Sequence, residues 1–519
     1  MLTTVSVLVG SAAFLAAVLY FLQRWSSSAP RRPPAGGVLP PQPPGWPLLG
    51  NLTLMLSRQR HRLIQAAGSQ LGGCMTLKVG PRRSVWITSY EYFREAVINH
   101  AWEFAGRPAE MADPEISNEL GIAASGVSEP EREIRKFTLI SLRSFGFGKS
   151  SMQETMLREA DELVSAFRRH CSTASEGRLS QPRPFNPRSP LANAAANVIC
   201  SVLMGNNFQQ GDTDFRVLSD DLTEAIKKVM LTQQARSFPL LRLFVNRGIK
   251  TANDTFRRTH AFLKSIVADH VEQHQPGMPR DFVDDWFDKA ADEAAKAGDK
   301  PQGKPVFRAE HLPTVLMDLF IGGFETTTTT FQWIFLMLLH NPDAQTKIHE
   351  EMERVLGSRS STSGQQVTLE QRDALVYTEA VILETLRKYP LIPFAIPHLC
   401  TQTTKLGDYT IPQGTQVMLH LFSIHHDPAL FPEPERFLPE RFLGADGRLS
   451  VPEQFVPFSA GRRSCIGEQL ARKELFLFFA NIMLNFSILP AAEGQLPSLN
   501  ENDGIVMYPD PYEIILQER

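Results

Sequence analysis

The sequence predicts a mostly α-helical protein with small β-sheets, built as one large domain behind an N-terminal transmembrane helix. The chain has 519 residues, of which 43% are hydrophobic and 21% charged, a balance typical of a globular protein with a large core. Apolar residues recur at helical spacing over long segments, whereas strand-like runs are few and short. Residues 1–23 are mostly apolar and carry no charged side chain.

The composition argues against several classes of protein. The 53 basic residues nearly balance the 56 acidic ones, and a net charge of −3 gives no reason to expect nucleic-acid binding. The five cysteines are scattered, with no CxxC pair. An odd number at these spacings argues against a disulfide framework and against a structural zinc site.

The N-terminal segment 1–23 is long enough to span a bilayer, because a helix of this length covers roughly 30 Å. Arg24, Arg31 and Arg32 follow it, and this positive charge predicts that the rest of the chain is cytosolic after a single pass. A cleaved signal peptide is the alternative, although it would carry positive charge before a shorter apolar stretch. A mitochondrial presequence would be rich in arginine from the start.

Residues 24–50 are rich in proline, which forbids helix and predicts an extended linker. A PxxP ligand for another protein is the alternative. Residues 51–519 show no second long linker and are predicted to form one domain, with surface loops at 292–303 and 357–364. Helices are predicted at 152–170, 191–204, 252–273, 312–340, 343–356, 369–388 and 468–485, and strands at 74–79, 84–88 and 415–421.

The predicted helix 312–340 is almost uncharged but carries chemistry at its middle. Asp318 and Glu325 are seven residues apart and therefore share a face, with two adjacent glycines between them and five threonines after them. Carboxylate, hydroxyl and glycine together favour a groove where a small ligand sits and receives protons. The alternative is a buried helix whose threonines bond to carbonyls one turn back.

Glu384 and Arg387 lie three apart on one face of the helix predicted at 369–388. Their neighbours are apolar, which favours a buried pair that specifies structure. A solvated pair is the alternative, since this spacing is common. Arg441 stands between aromatic residues further along the chain and is predicted to close a network with both.

Cys465 stands in the most informative segment, 458–467, which reads FSAGRRSCIG. Its glycines allow close approach of a flat partner, and its arginines and the helix that follows predict a thiolate. No second cysteine or histidine at metal spacing accompanies it, so zinc is excluded, whereas a single axial ligand to a heme iron fits. An inert buried cysteine is the usual alternative.

The segment 458–467 resembles FxxGxRxCxG, the heme-binding signature of the cytochrome P450 family. Segments 322–327 (GGFETT), 384–387 (ETLR) and 439–442 (PERF) resemble the family's oxygen-groove, ExxR and PERF motifs, in the family's order. A second PERF at 434–437 offers another arginine for the network. The resemblance covers about residues 40–519 and is closest to the microsomal branch that metabolises drugs and steroids in animals.

The resemblance implies the cytochrome P450 fold for residues 51–519 and a heme b (iron protoporphyrin IX) whose axial metal ligand is the Cys465 thiolate. It implies that Glu325 and Thr326 deliver protons, and that Glu384, Arg387 and Arg441 form a structural network. The residues expected to bind the cofactor are Arg135, His398, Phe458, Arg463, Cys465 and Gly467.

One departure from the family pattern concerns WxxxR, whose two residues usually contact the heme propionates. Arg135 matches the arginine, but Glu131 stands where tryptophan is usual. A carboxylate near a propionate would be repelled. We therefore expect Glu131 to turn to solvent, or the helix to be shifted, and heme to be held more weakly.

The implied activity is a monooxygenase in the endoplasmic reticulum membrane that hydroxylates a lipophilic steroid, fatty acid or xenobiotic with O2. Its electrons would come from NADPH-cytochrome P450 reductase, with cytochrome b5 as a second donor. A basic docking face for such a partner is predicted from Arg132, Lys136, Arg462, Arg472 and Lys473, with ordinary solvated side chains as the alternative. The alternative functions are a heme-thiolate isomerase or dehydratase that needs no external electrons, and a catalytically idle heme protein.

Overall fold

The computed structural model of the protein describes residues 36–109, 121–147, 150–171, 183–205, 217–228, 239–297, 305–357 and 365–519. The predicted transmembrane helix and residues 24–35 of the predicted linker lie outside these ranges. Within them, no helix combines the length and the apolar character that crossing a membrane requires.

Helices dominate the described chain, which confirms the predicted fold class. In chain order they are α1 (Leu52–Leu56), α2 (Arg60–Gln70), α3 (Tyr90–Arg94), α4 (Glu129–Leu142), α5 (Ser150–Cys171), α6 (Arg188–Met204), α7 (217–228), α8 (Pro239–Gln273), α9 (Phe282–Ala297), α10 (Leu312–His340), α11 (Pro342–Leu356), α12 (Val376–Lys388), α13 (Leu421–His425) and α14 (Glu468–Asn485).

Four helices of ordinary length in the described chain, α2, α4, α7 and α9, are not predicted from the sequence. In α4 a stripe formed by Ile134 and Phe137 is buried, but charged residues on both sides obscure its period. Helix α9 runs to Ala297. The predicted start of the following loop, residue 292, is therefore too early. The helix predicted from residue 369 starts only at Val376, because a 3₁₀ turn at Leu369–Gln371 precedes it.

The sheets are small and have few strands. The strands are β1 (Cys74–Val79), β2 (Arg82–Ile87), β3 (His398–Leu399), β4 (Thr404–Leu406), β5 (Tyr409–Ile411), β6 (Gln416–Leu419), β7 (Phe486–Pro490), β8 (Asn502–Asp503), β9 (Met507–Tyr508) and β10 (Ile514–Glu518). One sheet has four strands in the order β1-β2-β6-β3, and the others are the pairs β10-β7, β4-β5 and β8-β9. Strand β3 pairs antiparallel with β6, with His398 opposite Val417, and this pairing fixes His398 at the sheet edge.

Helix α10 runs through the centre of the large hydrophobic core, with most of its residues buried. It packs closely on α6 at Gly323, where an added Cβ atom would lie 2.8 Å from Ile199. The glycine pair does not interrupt the helix, which is continuous from Leu312 to His340. A central helix held this rigidly is a firm support for groups that face a cavity.

A group of buried histidines lies beside the four-stranded sheet. The rings of His420 and His426 lie 6.1 and 3.8 Å from that of Phe422, measured between ring centroids. Burial lowers the pKa of His420 and His426 well below the ordinary value, and burial with the nearby Arg387 guanidinium lowers that of His425 to about 3. All three are therefore neutral in the folded protein at neutral pH.

These histidines predict acid lability. Below an unfolded-state pKa of about 6.5 the unfolded chain binds protons that the folded chain excludes, so stability falls as pH drops from there toward 3. Each of these histidines is expected to lower the free energy of unfolding by on the order of 1 kcal/mol at pH 5.5. Urea unfolding of the protein between pH 7.5 and 5.5 measures how steeply the free energy of unfolding falls with pH. His426→Phe keeps a ring stacked on Phe422 and should make this fall less steep. A urea midpoint that does not change with pH would contradict the account.

Candidate active site

A large cavity lies between α10 and the segment that contains Cys465. Its empty volume is about 1560 Å³, part of which is open to solvent. The walls are mainly apolar, and Cys465 is the cysteine that lines them, since the other four stand elsewhere.

The loop 461–467 holds Cys465 at the cavity by tight backbone geometry. The backbone N–H of Cys465 donates to the carbonyl of Phe458 at 3.0 Å. Gly461 has a φ of +72°, and a Cβ atom there would lie 2.0 Å from the carbonyl oxygen of Val97. Only glycine fits this position, for space and for conformation. Phe458 and Gly467 also line the cavity, and a Cβ on Gly467 would lie 4.0 Å from the sulfur.

Two opposing effects set the acidity of the Cys465 thiol, which is exposed to the cavity rather than to bulk water. Enclosure by the surrounding protein raises its pKa and is the larger effect. Backbone N–H groups of Gly467 and Glu468 and the guanidinium of Arg135 lower it. In the protein without a bound metal, enclosure therefore outweighs the effects that favour the anion. A coordinated metal ion would supply what is missing, because it deprotonates its thiol ligand.

Thr326 and Glu325 are adjacent in α10 but lie in different surroundings. Thr326 lines the cavity, and its hydroxyl donates to the carbonyl of Gly322 at 2.7 Å. The back-bonding threonines that the sequence left as an alternative are thus present, together with the groove. Glu325 is buried and does not line the cavity.

The Glu325 carboxylate belongs to a buried polar cluster behind the cavity wall. Arg188, the first residue of α6, donates to Glu325 from Nη2 at 2.8 Å, and the hydroxyl of Thr223 in α7 donates at 2.9 Å. A second donor on Arg188 reaches Gln332 at 3.3 Å. Glu325 is therefore held by an ion pair on the side of α10 away from the cavity. Sequence reasoning missed Arg188, because nothing local marks an arginine that pairs 137 residues away.

Asp318, which the sequence grouped with Glu325, has a different role in the structure. Its Oδ2 accepts the backbone N–H groups of Ile122 and Ala123 at 2.7 and 3.0 Å, and it lines the cavity. Burial raises its pKa, while these two hydrogen bonds lower it. Asp318 therefore ties the loop before α4 to the central helix.

Cationic side chains gather at one end of the cavity. Arg135 lines it and donates to the carbonyl of Ser464. Arg107, which sequence reasoning missed, also lines it; its Nε and Nη1 donate to backbone carbonyls, and no carboxylate pairs with it among the residues described. Burial and then the neighbouring Arg463 lower the pKa of Arg107 to about 9. A buried guanidinium without an anion is a binding site for one.

His398 lines the same end of the cavity, with Nδ1 2.6 Å from the carbonyl of Phe104. Burial, followed by the charge of Arg107, lowers its pKa well below the ordinary value. The imidazole is therefore neutral in the protein without an anion bound.

Glu131 and Arg463 form a buried ion pair at this end. Arg463 Nη1 lies 2.6 Å from Glu131 Oε1, with side-chain exposures of 3% and 5%. The first outcome expected for Glu131, a turn to solvent, is therefore wrong, while the alternative, a shifted helix, stays a prediction. The carboxylate faces inward and has a partner.

The predicted three-residue network surrounds Glu384, and the pair is not solvated. Arg387 donates to both Glu384 oxygens, at 2.7 and 2.9 Å, and both side chains are fully buried. Arg441 Nε lies 3.0 Å from the same carboxylate. Arg436, from the other PERF segment, instead pairs with Glu433 at the surface.

The residues of the cavity fit a heme. A cysteine faces the cavity from a glycine-containing loop, and cations collect at one end where two propionates could be bound. Apolar side chains and Thr326 line the same cavity. A heme offers an iron that a lone thiolate can bind and two propionates that buried, unpaired cations can bind.

A second, basic cavity of about 810 Å³ opens beside α4 and the Cys465 loop. Its charged lining residues are Glu131, Arg132, Arg135, Lys136, Arg143, Arg462 and Arg463. Arg462 also covers the face of Trp102, at 3.3 Å from the ring centroid. Arg472, predicted to join this face, is instead paired with Glu468 at 2.9 Å.

Comparison with known proteins agrees with this geometry. The family model described as cytochrome P450 matches residues 40–516. Cytochrome P450 2U1 of Homo sapiens is 32% identical, over 98% of this chain and 94% of that protein. Cytochrome P450 2J2 of Homo sapiens is 33% identical over 97% and 94%, and cytochrome P450 2C5 of Oryctolagus cuniculus 32% over 96% of each. The chain therefore belongs to the cytochrome P450 family of heme-thiolate monooxygenases.

Proposed function

We propose that this cytochrome P450 hydroxylates a lipophilic small molecule, a steroid, fatty acid or xenobiotic, with O2 and electrons from NADPH-cytochrome P450 reductase. One observation carries the proposal: a single, mainly apolar cavity places Cys465 and Thr326 on its walls. Apolar walls select a lipophilic substrate by excluding water from it.

Different groups of residues have different roles in the site. When bound, the heme supplies iron that activates oxygen, held by the Cys465 thiolate. Arg107 and Arg135 are the cations that would bind the propionates, while Phe458 and Gly467, which line the cavity beside Cys465, would contact the cofactor near its thiolate ligand. Glu384, Arg387 and Arg441 fix the chain segments behind the cofactor.

Proton delivery is assigned to Glu325 and Thr326. The Thr326 hydroxyl is at the cavity wall, whereas the Glu325 carboxylate is paired with Arg188 behind it. Opening of that ion pair would let Glu325 reach water in the cavity. The Arg188 pair is therefore expected to regulate when protons are delivered.

The partner and membrane assignments have their own support. Arg132, Lys136 and Arg143 line the basic cavity, and among the described residues none of these three has a carboxylate partner, which suits an acidic reductase or cytochrome b5. Trp46 and Leu48 are 65% and 70% exposed. They lie at the C-terminal end of the linker and suit a surface close to the bilayer. We assign residues 1–23 to a single-pass anchor in the endoplasmic reticulum, 24–50 to a linker and 51–519 to the cytosolic catalytic domain.

Reconstitution of the full-length protein with the reductase and NADPH tests the activity. Lauric acid, testosterone and an aryl ether represent the three substrate classes. A product that has gained one oxygen atom, formed only when reductase and NADPH are present, is the expected result. Turnover without electrons would indicate the isomerase or dehydratase instead. No turnover with bound heme would indicate an idle heme protein.

Thr326→Val is expected to separate electron use from product formation. The variant loses the hydroxyl at the cavity wall, and a positioned proton donor contributes roughly 10²–10⁴-fold to a rate. We expect product per NADPH consumed to fall by about tenfold or more, while substrate binding is kept. Thr329→Val is the matched control, because Thr329 is buried in the same run and its hydroxyl makes no hydrogen bond. An equal amount of product per NADPH consumed in both variants would contradict the role assigned to Thr326.

A further inference from the structure

The Arg463 guanidinium is almost fully occupied by the protein. Its Nε donates to Ala105 at 2.9 Å, and its Nη2 donates to Ser125 at 2.7 Å, both to backbone carbonyls. Its Nη1 donates to the carbonyl of Ile122 at 3.3 Å and to Glu131 at 2.6 Å. A guanidinium has five N–H groups, so at most one is left for any other ligand.

Glu131 is positioned for this contact by the start of α4. Ser128 caps the helix by accepting the backbone N–H of Glu131 at 3.2 Å. This places the carboxylate in the first turn, one turn before Arg135, with 5% of the side chain exposed. A buried carboxylate is retained only when it is paired, and Arg463 is its partner.

The charges at this end of the cavity are unequal. The guanidinium groups of Arg107, Arg135 and Arg463 lie there, and Glu131 is the carboxylate paired with one of them. These four side chains together carry a net charge of +2. The sum leaves out Arg132, Lys136, Arg143 and Arg462, which line only the neighbouring basic cavity, and Asp318, which is bound to backbone N–H groups. A heme brings two propionates, so the loaded site would be neutral with Glu131 and would carry +1 without it.

We propose that Glu131 is an internal counter-anion, which neutralises Arg463 and leaves Arg107 and Arg135 as the two cations that match the two propionates. The inference rests on the heme assignment made above. Glu131 is a positioning residue, since it acts through Arg463 and through its charge. Its negative charge also disfavours addition of an electron to the heme, so the residue is expected to hold the reduction potential low.

The test is the midpoint potential of the bound heme in the full-length protein without substrate. Glu131→Gln removes one negative charge and should shift the potential to a more positive value. The ferrous to ferric ratio at the wild-type midpoint should rise on the order of threefold to tenfold, as one charge acting through protein predicts. Glu131→Asp should stay near the wild type. Glu129→Gln, on the exposed side of the same turn, is the matched control and should not shift it.

The double variant Glu131→Gln with Arg463→Gln restores the net charge of +2 and should bring the potential back toward the wild-type value. A purely structural role would not produce this reversal. If Glu131→Gln loses heme, recovery of heme in the double variant supports the proposal, and failure to recover it contradicts it. Equal potentials in Glu131→Gln and the control would also overturn it. Absence of a thiolate-heme spectrum in the wild type would overturn the heme assignment instead.

Discussion

Glu384→Ala is expected to cost roughly 3–5 kcal/mol of folding stability, because it leaves buried guanidinium charge without a counter-ion. Arg387 is fully buried and Arg441 is about one-tenth exposed. Glu384 also accepts the backbone N–H of Leu438 at 2.9 Å, so the variant loosens the chain before the PERF segment. A loss of this size is a large fraction of a typical domain's stability of about 5–15 kcal/mol.

The matched control for this prediction is Glu433→Ala. Glu433 also pairs with an arginine three residues away, Arg436, but the two side chains are 58% and 63% exposed. An exposed pair contributes about 0–1 kcal/mol. Urea unfolding and the yield of heme-bound protein measure both variants. Equal losses in the two would contradict the buried network.

Cys465→Ser is expected to abolish oxygen-dependent turnover while leaving the chain folded. A serine hydroxyl does not ionise near neutral pH and cannot replace a thiolate as the electron-rich ligand of the heme. The side chain faces the cavity rather than the core, so little packing is lost. Cys171→Ser is the matched control, because that half-buried thiol only donates to the carbonyl of Leu516 at 3.3 Å. Retained turnover in Cys465→Ser would contradict its role.

The sequence predicted the features that local pattern determines. Helix α10 was predicted over its full length, 312–340, because its apolar run is long and unbroken. The Cys465 loop was recognisable because its glycines and arginines stand within ten residues of the thiol. Such short-range signals are complete within a single chain segment.

Features that depend on distant segments could not be predicted in this way. Arg107 bonds to carbonyls some 290 residues away, and Glu131 finds Arg463 at a separation of 332. For Glu131 the expectation of repulsion considers only the heme propionates. Its partner Arg463, which gives the carboxylate an attractive contact, lies on a distant segment of the chain. The net acidity of Cys465 likewise depends on walls built from the whole domain.

The central claim is that Cys465 holds the iron of a heme in this cavity, and the carbon monoxide difference spectrum tests it most directly. The full-length protein, expressed in membranes and reduced with dithionite, is expected to show the red-shifted Soret band of thiolate ligation. Cys465→Ser should lose this band and Cys171→Ser should keep it. A wild-type band at the position of a neutral or nitrogen ligand, or no heme at all, would contradict the account.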